Sequence, residues 1–169
     1  MMKIKITNLQ DGEHIYDFAV DGGEMDLDDI ETSGDIYVKV NLYKSGNQFD
    51  LKINVRGKLK FECDRCLDEY PYDFNNTYEI VYKFDFTHEL EKAEIDTDDI
   101  RYLNPNAAFI DIKNDVREFI ILSVPLKHAP EEKDGVCKLC NRKISDILMI
   151  ERQEEMNPVW EQLLKIKTK

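Results

Sequence analysis

A strict alternation of apolar and polar residues runs through the first half of the chain. From Phe49 to Cys63, every odd position is apolar or small and every even position is polar or charged. A period of two indicates a long strand with one buried face. Gly57 falls in the middle of this run, where we expect a bulge or a bend.

Two further alternating runs flank this strand. Apolar residues at even positions over 36–44 lead into the turn Ser45-Gly46-Asn47, which indicates a hairpin. A run rich in tyrosine and phenylalanine, again at even positions, covers 70–86. The pattern therefore predicts a three-strand antiparallel meander over 36–44, 48–63 and 70–86, with shorter strands at 3–6 and 14–20.

The second half of the chain carries helical patterns instead. Asp111 is a good N-cap and Pro125 a good terminator for a helix of about three turns. Its predicted apolar stripe consists of Ile112, Val116, Phe119 and Ile120. Asn157-Pro158 predicts the start of a C-terminal helix, because proline suits the first helical position. The polar stretch 87–106 is predicted to be a loop.

These elements predict an α+β fold: a mostly antiparallel sheet, as a meander or a partly closed barrel, with two or three helices in the C-terminal half. The length suits one domain over 1–169. A long-stranded sheet would occupy 1–86 and a loop 87–106. The first helix, the second cysteine pair and the C-terminal helix would occupy 107–169.

Charge and hydropathy limit where the protein is expected to be located and which classes of partner it is expected to bind. The formal net charge is −12, so a large nucleic-acid footprint is disfavoured and a basic protein is the better partner. No stretch approaches the ~18 apolar residues of a membrane helix, and the N-terminus does not resemble a signal peptide. We therefore expect a cytoplasmic protein with no membrane partner, whose thiols are reduced.

The four cysteines form two C-x-x-C pairs, Cys63/Cys66 and Cys137/Cys140. Two pairs of thiolates that meet in space form the tetrahedral sulfur cage that structural zinc prefers. We therefore predict one structural zinc site that uses all four cysteines. The alternatives are two unrelated reduced pairs, or a site in which His14, His88 or His128 replaces a cysteine.

The residues around the pairs refine this hypothesis. Asn141, directly after Cys140, tolerates the positive φ that a metal-binding turn often needs, whereas Leu67 tolerates it poorly. Arg65 is interpreted as an exposed turn residue, or as a group that stabilises thiolate charge or contacts a partner. A thiol–disulfide activity is the less favoured alternative, because it needs a C-x-x-C at a helix N-terminus.

Signatures of catalysis are missing from the sequence. It contains no Gly-rich phosphate loop and no H-E-x-x-H, and only seven glycines. Nothing singles out a pair of carboxylates for acid–base chemistry. We therefore expect no enzyme and no small-molecule substrate.

Three further segments stand in a fixed order along the chain. Leu59–Leu67 contains a C-x-R-C motif, and an aromatic strand follows it directly. Ile110–His128 combines an acidic helix with a proline-leucine end, and Asn157-Pro-Val-Trp160 begins the predicted C-terminal helix. Together these segments resemble the YceD family, named for accumulation of the large ribosomal RNA subunit. Cys137 and Cys140 match a second pair found in many relatives.

The resemblance implies a bacterial, non-enzymatic factor that supports large-subunit ribosomal RNA accumulation and ribosome biogenesis. Its expected partner is a component of the large ribosomal subunit, a protein rather than bare RNA. An acidic chaperone-like module that binds a basic ribosomal protein and a thiol–disulfide redox protein are the alternative functions.

Overall fold

The alternating runs form long strands. The computed structural model of the chain describes residues 2–86 and 100–148. Within them it contains a 3₁₀ turn at Gly22–Glu24 and the helices α1 (Lys113–Ser123) and α2 (Ile144–Ile147). The strands are β1 (Lys3–Lys5), β2 (Gly12–Asp21), β3 (Glu31–Thr32), β4 (Asp35–Ser45), β5 (Gln48–Glu62), β6 (Glu69–Phe84), β7 (Ile100–Leu103), β8 (Phe109–Asp111), β9 (Glu132–Lys133) and β10 (Val136–Cys137).

A six-stranded sheet dominates the fold. Its order is β2-β4-β5-β6-β7, and β3 pairs with one end of β5. β2, β4, β5 and β6 pair antiparallel, and the long β5–β6 ladder runs from Gln48 opposite Lys83 to Glu62 opposite Glu69. The first cysteine pair therefore begins in the turn that joins the two longest strands.

Gly57 does not mark the bulge or bend that the sequence predicts. The β5–β6 register continues through it without interruption, with Gly57 opposite Phe74. A Cβ atom added to Gly57 would lie 3.0 Å from the ring of Phe74. The absence of a side chain at Gly57 thus leaves space for the ring of Phe74 on the neighbouring strand. The alternation of residue types along the strand does not indicate this role.

The predicted α+β class, with two or three helices in the C-terminal half, is wrong. Strands hold 51% of the described residues and helices only 13%, so the fold is mainly β. α2 is a single turn with no buried residue, too short to present an apolar stripe to a core. The helix predicted from Asn157 lies outside the described residues.

The alternative of a partly closed barrel is also wrong for the described part of the chain. Closure requires the first and last strands of a sheet to share hydrogen bonds. β2 and β7 stand at opposite ends of the strand order and do not pair with each other.

The predicted loop over 87–106 contains a strand. Ile100–Leu103 pairs in parallel with the end of β6, from Val81 to Phe84. This run of four residues is too short for its alternation to stand out from the polar stretch around it. Residues 87–99 of the predicted loop lie outside the described residues.

The chain divides into two compact units. The first, Met1–Glu62 with Glu69–His128, is called the sheet unit below. The second, Cys63–Asp68 with Ala129–Lys169, contains all four cysteines and is called the cysteine unit. The expectation of one domain over 1–169 stays a prediction.

One face of the large sheet carries the core of the sheet unit. The inner row of β4, from Ile36 to Leu42, is at most 1% exposed. The β1–β8 pair, α1 and the residues next to them add apolar side chains to the same buried cluster: Met2, Ile4, Ile6, Ile110, Ile112, Val116 and Ile120. The opposite, outer face of the sheet is largely polar and exposed.

Polar contacts, as well as its apolar stripe, hold helix α1 in place within the sheet unit. The Asp111 carboxylate accepts a hydrogen bond of 3.1 Å from the Lys113 amide as the helix begins, and the helix ends before Pro125. The hydroxyl of Tyr82 donates to the carboxylate of Asp115, which is 7% exposed. In the part of the chain that is described, no helix combines the length and apolar character needed to cross a membrane.

Candidate metal centre

The first cysteine pair lies in a tight turn closed by two backbone hydrogen bonds. The Leu67 amide donates to the Cys63 carbonyl at 2.9 Å, and the Cys63 amide donates to the Asp68 carbonyl at 3.0 Å. This geometry leaves amides inside the turn free to point at sulfur. Those of Arg65 and Cys66 hydrogen-bond to the Cys63 sulfur.

The second pair repeats the same turn. The Asn141 amide donates to the Cys137 carbonyl at 2.9 Å, and the Cys137 amide donates to the Arg142 carbonyl at 2.9 Å. The amides of Leu139 and Cys140 hydrogen-bond to the Cys137 sulfur. Two turns 74 residues apart at their first cysteines are therefore built alike, each with two sulfurs and two amides aimed at the first of them.

The residue after each pair adopts the left-handed conformation. Asn141 has φ of 56°, as its residue type suggests, and Leu67 has φ of 62° although its side chain disfavours it. The unfavourable residue type at position 67 does not prevent the turn. The closing hydrogen bonds impose the conformation at a local cost of about 1–2 kcal/mol.

The two turns bring sulfurs from both pairs together. The sulfurs of Cys66 and Cys137 lie 3.9 Å apart, and with that of Cys63 they form a group whose members are all within 4.8 Å of one another. The sulfurs of Cys66 and Cys140 and a carboxylate oxygen of Asp68 form a second such group. Cys66 belongs to both groups, whereas Cys140 does not join the group of Cys63, Cys66 and Cys137, so the use of all four cysteines by one ion stays a prediction.

The Cys66–Cys137 separation fits a zinc cage. Zn–S bonds of about 2.3 Å in tetrahedral geometry place neighbouring sulfurs about 3.8 Å apart. A disulfide would bring them to about 2.05 Å, and all four cysteines are free thiols. Asp68 is a fifth candidate ligand, and its oxygen is a donor that zinc also accepts.

The thiols titrate as a group. Burial raises the pKa of Cys63, but amide and sulfur hydrogen bonds outweigh it and lower the pKa. The amides of Cys140 and Leu139 lower the pKa of Cys137. For Cys66 the Asp68 amide acts to lower the pKa, but burial and the neighbouring Cys63 and Cys140 sulfurs prevail and raise it to about 12. The neighbouring sulfurs disfavour a thiolate at Cys66 because closely spaced thiolates repel each other.

A basic side chain offsets part of the negative charge. The guanidinium of Arg142 hydrogen-bonds to the Cys140 sulfur, and this thiolate raises the pKa of Arg142 above its ordinary value. Cys140 is half-buried and Arg142 is exposed. Arg142 therefore places a positive charge beside one of the four predicted ligands.

Arg65 is a structural residue of the cysteine unit, not the exposed turn residue that the sequence suggests. Its side chain is only 8% exposed, its guanidinium donates to the Pro130 carbonyl, and a second nitrogen lies 3.3 Å from the Glu132 carboxylate. Arg65 thereby joins the first turn to the segment that precedes the second. The sequence places an arginine between two cysteines but does not show what it contacts.

A small hairpin presents the second pair. β9 and β10 pair antiparallel through Asp134 and Gly135, whose φ values of 54° and 72° match a type I′ turn. Cys137 ends this hairpin, and the Ile144 amide then donates to the Gly135 carbonyl at 2.9 Å. The Asp-Gly dipeptide is the sequence signal that would have located the hairpin.

Few side chains are buried in the cysteine unit. Among its described residues, Cys63 and Cys137 are each 0% exposed, and the Arg65 side chain is 8% exposed. No apolar cluster supports these two turns there. The first cysteine of each pair occupies the place that a core residue would fill in an ordinary small domain.

Histidine takes no part in the ligand groups of the described residues, which contain only cysteines and Asp68. In the sheet unit the Nε2 of His14 lies 2.9 Å from the Gln10 carbonyl, and the ring of His128 stacks on Phe61 at 4.2 Å. His88 lies outside the described residues. A histidine ring can form a hydrogen bond and can stack on an aromatic ring. The contacts of the two described histidines therefore do not require a metal ion.

The comparison with known families agrees with the cysteine signature. The family model described as Large ribosomal RNA subunit accumulation protein YceD matches residues 51–167. The chain belongs to the YceD family. The resemblance seen in the sequence is thereby confirmed, and the match covers both cysteine turns but not β1 to β4. No curated protein and no solved structure matches the chain.

Proposed function

We propose that this chain is a non-enzymatic factor in the biogenesis of the large ribosomal subunit, with a structural zinc ion in its cysteine unit. The family to which it belongs is named for accumulation of large-subunit ribosomal RNA. The observation that carries the metal proposal is the pair of matching turns whose sulfurs approach within 3.9 Å. Cys63, Cys66, Cys137 and Cys140 are the proposed ligands, with zinc as the metal.

The zinc is structural in this proposal. Structural sites use four protein ligands and leave no open position, and a set of four cysteines is among the common ones. The cysteine unit buries no apolar side chain among its described residues, so metal binding would supply the free energy that holds the two turns. No step of chemistry is assigned to the ion.

Metal analysis tests this directly. Protein purified under reducing conditions should contain one equivalent of zinc, and a variant with Cys63→Ser and Cys137→Ser should contain almost none. The matched control is Lys39→Ser/Lys113→Ser, which places serine at two exposed positions of the sheet unit and should keep its zinc. Less than half an equivalent in the wild-type protein would contradict the proposal.

The number of protons released when zinc binds is a second test of the same site. At pH 7 the Cys66 thiol, with its pKa raised to about 12, carries a proton that zinc must displace. Because protons compete with the metal, zinc affinity should increase as the pH rises from about 6 to about 8. Calorimetry in two buffers of different ionisation enthalpy measures the number of protons released, and a value of zero would argue against thiolate ligands.

The proposed partner is a protein of the large ribosomal subunit. The formal net charge of −12 favours a basic protein over bare RNA. In cells depleted of this chain, the ratio of large-subunit to small-subunit ribosomal RNA should fall, and a plasmid copy should restore it. An unchanged ratio after complete depletion would contradict the ribosomal role.

A thiol–disulfide activity is the second candidate, and the lowered pKa of Cys63 and Cys137 is the observation that favours it. The two proposals predict opposite thiol reactivity. A thiol bound to zinc should resist alkylation until a chelator is added, whereas a redox-active thiol should react at once. Fast alkylation of metal-loaded protein would favour the redox alternative.

A further inference from the structure

β2 is an edge strand whose outer side is available for pairing. All ten of its residues pair with β4, from Gly12 opposite Lys44 to Asp21 opposite Asp35. In the described ranges 2–86 and 100–148, no strand pairs with β2 on its other side. An edge of this length presents a row of backbone donors and acceptors to any extended chain.

The side chains of β2 are less buried than those of its neighbour. On the inner face, Tyr16 and Phe18 pack against the core but are only half-buried, whereas Val38 and Val40 of β4 are at most 1% exposed. On the outer face Ile15 is 63% exposed. A strand added beside β2 would cover apolar surface on both faces of the sheet.

The outer row of β2 alternates acidic and small or apolar residues. Glu13, Asp17 and Asp21 are exposed and separated by Ile15 and Ala19. None of these three carboxylates forms an ion pair within the described residues. By contrast, Glu79 on β6 is paired with Lys52 at 2.9 Å. The Asp21 carboxylate accepts a hydrogen bond of 2.9 Å from the Gly23 amide, but none of the three carboxylates is neutralised by a basic side chain among the described residues.

The same three acids disfavour a second copy of this chain. Antiparallel pairing of β2 with itself, centred on Asp17, would place Asp17 opposite Asp17 and Glu13 opposite Asp21. Like charges directly opposite one another destabilise a strand pair. A basic strand with lysine or arginine at every fourth position would instead face all three carboxylates.

We propose that β2 is the docking edge for an extended basic segment of a large-subunit ribosomal protein, which adds a strand to the sheet. The partner class rests on the proposed function, whereas the edge and its charge do not. The segment would carry basic residues opposite Glu13, Asp17 and Asp21, and apolar residues opposite Ile15 and the inner row. A cavity of about 630 Å³ on the outer face, lined in part by Ile15 and Tyr43, offers room for one of those apolar side chains.

A designed peptide tests the edge without any ribosomal component. The probe is Lys-Val-Val-Ile-Lys-Val-Thr-Ile-Lys, and the matched control peptide has glutamate at the three lysine positions. The probe should slow hydrogen exchange at alternate amides of β2, those that point away from β4, by about tenfold or more. The glutamate peptide should slow none. Equal protection by both peptides, or protection without the alternate pattern, would overturn the docking edge.

Charge reversal supplies the matched protein variants. The full-length variant Glu13→Lys/Asp17→Lys should lose about tenfold or more in affinity for the probe. The control Glu24→Lys/Asp29→Lys makes the same change in net charge at exposed residues outside β2 and should bind as the wild type does. Equal losses in both variants would show a general charge effect and would overturn the proposal.

Photocrosslinking in cells tests the identity of the partner. A benzoyl-phenylalanine in place of Ile15 should form an adduct with a basic large-subunit protein. The same group in place of Leu122, which is 78% exposed on α1, should form less of it, and Glu13→Lys/Asp17→Lys should abolish it. An adduct with RNA or with a second copy of this chain would overturn the proposal.

The two levels of the proposal fail separately. If large-subunit ribosomal RNA falls on depletion but Glu13→Lys/Asp17→Lys restores it as the wild type does and leaves the adduct unchanged, the docking edge is wrong and the ribosomal role stands. If the edge binds the probe but depletion leaves ribosomal RNA unchanged, the proposed function and the ribosomal partner are wrong and the edge is retained as a site for basic strands.

Discussion

The sheet unit gathers 23 hydrophobic residues into one buried cluster, whereas the described part of the cysteine unit buries two cysteines and the side chain of Arg65. Burial of apolar surface contributes roughly 25 cal/mol per Å², so the sheet unit has its own source of stability. In the described part of the cysteine unit, the two turns are held by backbone hydrogen bonds and by the contacts of Arg65. The same chain thus combines a region that folds through its core with one that we expect to need a metal.

Removal of the metal should have the largest effect, and only in the cysteine unit. Structural zinc contributes apparent free energies of about 10–16 kcal/mol in small zinc-finger peptides, far more than four backbone hydrogen bonds provide. After chelation the amides of Leu67 and Asn141 should exchange rapidly, while that of Ile53 in β5 stays protected. Hydrogen exchange with mass spectrometry measures both, and dialysis without chelator is the control. Equal loss of protection from hydrogen exchange in the two units would contradict the claim that only the cysteine unit depends on the metal.

A core truncation should have the reverse pattern. Phe49 is 0% exposed and its ring meets that of Phe84 edge-on at 5.4 Å. Phe49→Ala should therefore lower the free energy of unfolding of the sheet unit by about 3–5 kcal/mol. Urea titration measures the loss, and Tyr43→Ala at an exposed position should cost about 0.5 kcal/mol or less. Zinc content should not change in folded Phe49→Ala protein, and its loss there would show that the sheet supports the metal site.

Loss of the Arg65 contacts should weaken the cysteine unit by a smaller amount. A buried hydrogen bond to a charged group contributes about 1.5–3 kcal/mol, and Arg65→Ala removes two contacts. We expect zinc affinity, measured by competition with a chromophoric chelator, to fall about tenfold or more. The control is Lys138→Ala, whose ion pair with Glu131 is exposed and contributes at most about 1 kcal/mol. If both variants bind zinc equally well, Arg65 does not support the site.

The smallest predicted effect is an increase in zinc affinity. Leu67 and Asn141 hold equivalent left-handed positions, and asparagine suits that conformation better than leucine. Leu67→Asn should strengthen zinc binding by about 1 kcal/mol, or roughly fivefold, and Asn141→Leu should weaken it by a similar amount. The same competition assay measures both variants. Changes of the same sign would mean that residue 67 acts through something other than its backbone conformation.

Much of the sheet could be predicted because its signal is local. Side chains of a strand alternate between two faces, so a strand with one buried face has apolar residues at every second position. β4, β5 and β6 show this alternation clearly. β7 and the hairpin of β9 and β10 have at most four residues per strand, too few for periodicity to appear. The predicted fold class is wrong because strands dominate the described residues, in which α1 is the only helix longer than a single turn.

The candidate site was predictable in its residue types and not in its supporting contacts. Two C-x-x-C pairs indicate paired thiolates wherever they occur, because a thiolate is a metal ligand by its own chemistry. The partners of Arg65 lie 65 and 67 residues away in the chain. The position of Gly57 under Phe74 likewise depends on a cross-strand neighbour. Such contacts are set by strand register and by chain path, which no local pattern records.

By itself, the sequence determined the alternation of buried and exposed faces, the acidic charge, the four thiols and the family, since each depends on residue type and short-range order. Only the tertiary structure decided that the cysteine turns share one hydrogen-bond pattern, that three sulfurs from the two pairs come within 4.8 Å, and that an acidic strand ends the sheet. The reason is physical: which segments lie side by side depends on the free energy of packing the whole chain, and residues far apart in sequence contribute to it together.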